Sequence, residues 1–320
     1  MDLPNDFDVF RALSAKLGVD PLQVQGPGGN TSIKQGDTMW IKASGTELAQ
    51  ALDTDIFVAV DRAAALAEAQ GAGDGSCKAT VLDQSRGLRP SIETTFHAAL
   101  DWPVVAHTHS IATLTHGVSV QGRAAAAKKL EGLPVVFVPY AKPGLPLTGE
   151  ILSRISSATQ IIVLENHGLI CCGQDVSETE AILSEVEQRL QMSARETVTS
   201  DPGAAPEGFV WSEYGWMATD AKTTALATAG SYYPDHVVFL GPALPRADHD
   251  GAPPAILVEG RGVLIRDGAT GSQLAMLRCL SDLLARLPEG WAPEAIGPEA
   301  EAELLNWDAE KYRQALAART

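Results

Sequence analysis

The run Ala106-His107-Thr108-His109-Ser110 carries two histidines two residues apart, directly after the apolar pair Val104-Val105. Such a lead-in predicts a strand, and residues two apart on a strand share a face, so both imidazoles converge on one point. A third histidine stands downstream in Asn166-His167-Gly168. Three neutral imidazoles are the ligand set of a catalytic zinc-type site, which keeps one coordination position open for water or substrate. In Arg89-Pro90-Ser91-Ile92-Glu93-Thr94-Thr95-Phe96-His97, Glu93 by itself reads as the acidic first turn of a helix that starts near Ser91. His97, one turn on, reads as a packed helix residue, and His116, His236 and His249 read as structural.

Two runs of small residues lie upstream, Gly26-Pro27-Gly28-Gly29-Asn30-Thr31-Ser32 and Ser44-Gly45-Thr46. Their composition suits loops that bring backbone N–H groups close to an anion. Neither holds the Gly-Lys-Ser/Thr of a P-loop or a dinucleotide fingerprint, and each alone is more often a simple turn.

The elements that must position these residues follow from periodicity. Apolar positions at Phe7, Phe10, Leu13 and Leu17 predict a helix over 6–18 with Gly18 as its C-cap. Strands are expected at 39–43, 56–60, 134–139 and 161–164, and helices at 62–69, 111–118, 124–130, 151–156 and 177–197. Residues 1–200 thus form a first domain. Residues 201–212 have linker composition. Residues 213–320 form a smaller α/β region with strands at 236–240, 255–258 and 263–266 and helices at 219–229, 271–286 and 300–317. The stretch 256–264 echoes 162–170, with Glu and Gly at matching places, but Arg261 stands where the first stretch has His167.

The chain has 320 residues, enough for one large domain with an appended one. Its 40 acidic and 24 basic residues give a net charge of -16, which repels phosphodiester backbones and anionic membranes. Nucleic acid and membrane partners are therefore excluded as expectations, whereas a small anionic substrate held by local donors is not. The acidic start lacks the segments of a signal peptide, no apolar run is long enough to span a bilayer, and Cys77, Cys171, Cys172 and Cys279 show no knuckle spacing. A reducing cytoplasm is the simplest location.

Five motifs in order, Gly29-Asn30-Thr31-Ser32, Ser44-Gly45-Thr46, Pro90-Ser91-Ile92-Glu93, His107-Thr108-His109 and Asn166-His167-Gly168, give the chain a resemblance to the class II aldolase/adducin family over about residues 8–200. The resemblance implies a three-layer α/β/α domain with a mixed, mostly antiparallel sheet. It also implies a divalent metal, zinc first, on His107, His109 and His167, with Glu93 as acid/base. Asn30, Thr31, Ser44, Gly45 and Ser91 are implied as substrate or phosphate contacts. A homo-oligomer, with a tetramer as one form, is a further implication.

The implied reaction is cleavage of a ketose or ketose phosphate through an enediolate. A sugar-phosphate epimerase, dehydratase or decarboxylase on the same site is the alternative, and a non-catalytic adducin-like interaction module a second; that class lacks the histidines present here. Residues 138–144 and 232–242 are similar to the aldolase part of rhamnulose-phosphate aldolase/dehydrogenase proteins. The chain departs from the sugar-phosphate aldolases at Ile92, where a second serine is common, and in having no tyrosine between His109 and Tyr140.

Overall fold

The computed structural model describes residues 3–199, 201–247 and 252–319, so His249 lies outside the described residues. The chain opens with α1 (Phe7–Val19), β1 (Asn30–Gln35), β2 (Thr38–Lys42), β3 (Phe57–Asp61), α2 (Arg62–Ala67) and α3 (Thr94–Ala99). It continues with β4 (Val104–Thr108), α4 (Ile111–Gly117), α5 (Val120–Lys129), β5 (Val135–Val138) and α6 (Leu145–Leu152). The hairpin β6 (Ile161–Leu164) and β7 (Gly168–Gly173) then leads into α7 (Val176–Leu190). The strands form one seven-stranded sheet in the order β3-β2-β1-β4-β7-β6-β5, antiparallel except between β5 and β6.

Strand alternation builds both outer layers. Ala106 of β4, Val163 of β6 and Cys171 of β7 pack with Phe10 and Leu13 of α1 and Val186 of α7. Their neighbours Val105, Ile162 and Ile170 face the other way, onto Phe96 of α3 and Leu147 and Ile151 of α6. The fold is therefore the α/β/α sandwich with a mixed sheet expected from sequence. Gly18 differs from expectation: it lies inside α1, where a Cβ would come 2.0 Å from the Ala49 nitrogen, so it serves a close approach rather than a cap.

The carboxy-terminal part comprises β8 (Phe209–Trp211), α8 (Ala221–Ala227), α9 (Pro234–Leu240), β9 (Ala255–Val258), β10 (Gly262–Arg266), α10 (Gly271–Arg286), α11 (Pro298–Asn306) and α12 (Asp308–Ala317). Its antiparallel sheet runs β8-β10-β9. The core of this part includes Ile111, Leu114 and Val118 from the α4 segment, so the helix after the paired histidines is clamped from both sides. Among the described residues no helix is long and apolar enough to cross a membrane.

Several expected elements are corrected. Residues 236–240 are helical, in α9, because Pro234 starts a turn and a short apolar run buried on every side does not distinguish strand from helix. The helix expected to reach Thr197 ends at Leu190; beyond it the Arg195 amide donates to the Ala285 carbonyl at 2.8 Å. Residues 300–317 form two helices with Trp307 extended between them. Part of the 201–212 stretch, Phe209–Trp211, is a strand paired with β10.

Candidate metal centre

β4 enters the middle of the sheet between β1 and β7, and His107 occupies its penultimate position while His109 follows the strand end. His167 is the third residue of the turn between β6 and β7. Asn166 holds that turn with φ of +54°, a left-handed conformation that asparagine tolerates better than most residues. Its side-chain amide donates to the carbonyls of Tyr232 at 3.1 Å and Glu294 at 2.8 Å, so the carboxy-terminal part pins the turn.

One nitrogen from each of the three buried histidines lies within 4.8 Å of the others, and the ring centroids are 4.9 to 5.2 Å apart. His107 Nδ1 donates to the Leu169 carbonyl at 3.0 Å, which leaves the lone pair of the neutral ring on Nε2. That Nε2 and His167 Nδ1 are buried with no hydrogen-bond partner. Orphaned buried nitrogens of this kind suit an ion, since unmet polar atoms otherwise cost about 1–3 kcal/mol each. Nitrogens sharing one zinc at about 2.1 Å can be at most about 4.2 Å apart, so the rings need little adjustment to accept it. Burial pushes His109 and His167 down to about 3, opposed in part by Asp235 and Glu93 respectively, which favours the neutral rings a metal requires.

Glu93 sits at the start of α3 with its carboxylate 3.5 Å from His107 Nε2 and 3.6 Å from His167 Nε2. Asn30 Nδ2 donates to Glu93 Oε2 at 2.8 Å and to Ser91 Oγ at 3.1 Å. Asn30 is in turn bonded through its Oδ1 to His97 Nε2, and His97 Nδ1 meets Ser32 Oγ at 2.7 Å. His97 therefore does more than pack in the helix: it fixes the amide that holds the carboxylate.

The sequence-predicted set is brought together with one exception. Asn30 pairs with His107 across the β1/β4 ladder, and Asn30, Ser44, Gly45, Ser91, Glu93, His109 and His167 line one small cavity of about 30 Å³. Thr31 does not join them. Asn30-Thr31-Ser32 belongs to β1 rather than to a loop, so Thr31 faces the opposite side and its hydroxyl meets Ser14 of α1 at 2.7 Å.

Four charged residues of the cavity escaped the sequence reading: Lys42, Asp235, Glu310 and Arg313. Lys42 Nζ donates to the carbonyls of Pro27 and Thr46, both at 2.7 Å, and so ties the two small-residue turns together. Burial, reinforced by Arg313, pushes its ammonium down to about 7. Asp235 Oδ2 lies 3.5 Å from His109 Nδ1, while Arg313 grips the same carboxylate at 2.7 and 3.1 Å. Burial alone would raise Asp235, but the guanidinium outweighs it and holds the group well below the usual carboxylate range. Glu310, also bonded to Arg313, is pushed by burial up to about 7, with Arg313 opposing. Gly28 is required beside this cluster, since a Cβ there would meet His109 Nδ1 at 2.7 Å and Asp235 Oδ2 at 3.0 Å.

This fold and histidine cluster define a class. Residues 12–194 match the family described as Class II Aldolase and Adducin N-terminal domain, and the chain belongs to that family. Class II aldolases use divalent metals, and the buried cluster of His107, His109 and His167 can hold one. A Bacillus subtilis (strain 168) protein described as uncharacterized oxidoreductase YuxG is 29% identical over 210 residues, 58% of this chain. The match spans only 30% of that protein's length. The solved N-terminal class II aldolase domain of a conserved protein from Thermoplasma acidophilum is 28% identical, with a TM-score of 0.53 over 59% of this chain and 94% of its own. An L-fuculose 1-phosphate aldolase is 20% identical, with a TM-score of 0.41 over 59% of this chain and 85% of its own.

Proposed function

We propose that the protein is a metal-dependent aldolase that cleaves a ketose or ketose phosphate through an enediolate, with His107, His109 and His167 as ligands and Glu93 as the acid/base. The observation that carries the reading is a buried carboxylate 3.5 and 3.6 Å from two of three convergent histidines. A divalent ion, zinc first, supplies Lewis-acid stabilisation of negative charge on substrate oxygens when bound. The protein's own residues do the rest. Asn30 orients the Glu93 carboxylate, which moves the proton at the carbon or hydroxyl of the enediolate. Asp235 orients His109, and the Asn166 clamp orients His167.

A divalent-metal analysis combined with a screen of ketose phosphates tests the reading: two carbonyl fragments are expected. A single isomeric sugar, or loss of water or carbon dioxide, would replace it with the epimerase, dehydratase or decarboxylase alternative on the same residues. Glu93→Gln should lower kcat by about 10²- to 10⁴-fold with metal content unchanged; normal turnover in that variant removes Glu93 from the role. A cytoplasmic location, a homo-oligomeric state and a division into residues 1–200, 201–212 and 213–320 belong to the same proposal. The location is in keeping with four buried, unpaired cysteines.

A further inference from the structure

The substrate contacts implied by family resemblance are crowded in this chain. Leu316 of α12 lies over Gly45, so close that a Cβ at position 45 would meet Leu316 Cδ1 at 2.4 Å. Ile92 presents no hydroxyl, and the cavity at Asn30 and Ser91 is about 30 Å³, room for a water but not a phosphate ester. Ser44 and Ile92 also line a second pocket, of about 570 Å³, between the loops before α3 and α6 and the junction of α11 with α12. That volume is in the range of small-ligand sites.

Three cations line the second pocket: Lys78, Arg89 and Lys142. The side chains of Arg89 and Lys142 make neither a hydrogen bond nor an ion pair with the described residues, although the chain carries a net charge of -16. Each is held by an aromatic ring from the carboxy-terminal helices: the Arg89 guanidinium lies 3.9 Å from the Tyr312 ring centre, and Lys142 Nζ 5.0 Å from that of Trp307. Trp307 is seated by Gly144, where a Cβ would stand 3.3 Å from its ring. The carboxylates on the same wall are partly engaged. Asp74 accepts from the Ser76 amide at 2.9 Å and Asp308 pairs with Lys311 at 3.5 Å, leaving Glu303.

We propose that this pocket binds the phosphate end of the substrate, with Arg89 and Lys142 taking the dianion and the carbon chain passing Ser44 and Ile92 toward Glu93. The identity of the ligand as a ketose phosphate rests on the proposed function; the anion site does not. Pre-placed guanidinium and ammonium groups replace the hydroxyl and amide donors that Leu316 and Ile92 deny at the first cavity. The carboxy-terminal helices, outside the matched family region, thereby set substrate choice.

Calorimetric titration of the full-length protein with inorganic phosphate, at fixed ionic strength, tests the site without turnover. Arg89→Gln and Lys142→Gln should each weaken phosphate about tenfold, Arg89→Lys should keep most of the affinity, and Ser91→Ala and the remote Lys16→Gln should stay within about twofold. Both test positions are on the surface of loops, and circular dichroism and metal content verify the fold. No phosphate binding by the wild type, wild-type affinity in both Gln variants, or tighter binding of glycerate than of phosphate would overturn the proposal. Phosphate binding that depends on Arg89 and Lys142 in a protein that cleaves no ketose phosphate would keep the site and discard the aldolase reading.

Discussion

The turn that carries His167 has a twin. In β6 and β7, Leu164 pairs with Gly168 across a three-residue turn in which the His167 amide donates to the Leu164 carbonyl at 3.3 Å. In β9 and β10, Val258 pairs with Gly262 and the Arg261 amide donates to Val258 at 3.0 Å. Middle residues Asn166 and Gly260 have φ of +54° and +73°, and Gly168 and Gly262 have φ of +157° and +159°. Each hairpin feeds a long helix, α7 or α10. The sequence echo is thus a shared hairpin-helix unit, and what separates the copies is placement. β7 lies beside β4, so residue 167 falls next to the paired histidines; β10 lies between β8 and β9, and residue 261 is an exposed arginine. The backbone device is generic, and the neighbouring strand decides whether its third residue can do chemistry.

The contrast is sharpest in metal binding. His167→Ala should reduce metal affinity by more than the roughly 10- to 100-fold that losing an outer partner costs, read as metal content after dialysis. A variant that keeps stoichiometric metal would sink the assignment. The two glycines come next. A Cβ at position 168 would stand 2.2 Å from the Thr108 carbonyl oxygen and 3.1 Å from His109 Cα, both backbone atoms. At position 262 the nearest atom is Trp211 Cε3, at 3.2 Å, on a side chain that can shift. Gly168→Ala should therefore cost about 3 kcal/mol in denaturant unfolding and displace His109, and Gly262→Ala about 1 kcal/mol. Equal costs would mean that the close approach at Gly168 is not what distinguishes the hairpins.

What the chain disclosed before folding was what local pattern controls. Alternation in β4, β6 and β7 is legible because each residue type reports its own face, and the histidines with Glu93 are legible because metal and proton chemistry need few residue types. The same logic misplaced Thr31, since a glycine-rich run hid the strand start at Asn30. Lys42 read as one position of an alternating strand. Asp235, Glu310 and Arg313 reach the cavity only through the packing of α9 and α12, and Arg313 meets Asp235 from 78 positions away. No spacing rule spans that distance. The apolar run 236–240 carried no sign that its surroundings would be apolar on all sides, which is the information needed to prefer helix over strand.

Acid should separate the twins in a different way. His167 is held down at about 3 by burial, against an unfolded value near 6.5, so in metal-free protein its contribution is complete above about pH 6.5 and is lost as pH falls through that value toward 3. At pH 5 this amounts to about 2 kcal/mol from His167 alone. The second hairpin carries no histidine at the matching position, which is Arg261. Unfolding of metal-free protein at pH 7 and pH 5 should show a smaller acid penalty in His167→Ala than in wild type. An identical penalty would place the acid sensitivity elsewhere, for instance at His116, which burial pushes down to about 4.

The smallest expected effect is the most direct check on placement. The Arg261 guanidinium packs over the Trp211 ring, 5.1 Å from its centre, and donates to the Pro202 carbonyl, all at the protein surface. Arg261→Ala should change stability by no more than about 0.5 to 1 kcal/mol and leave metal content and turnover at wild-type values. The result is not guaranteed by exposure alone, because β9 and β10 share a core with Ile111 and Leu114 of α4, the helix that begins two residues after His109. If Arg261→Ala lowers metal affinity, strain in the second hairpin reaches the histidines through α4, and the two copies form one mechanical unit. If it does not, the second copy is scaffold, and the chemistry belongs to the strand neighbours of the first.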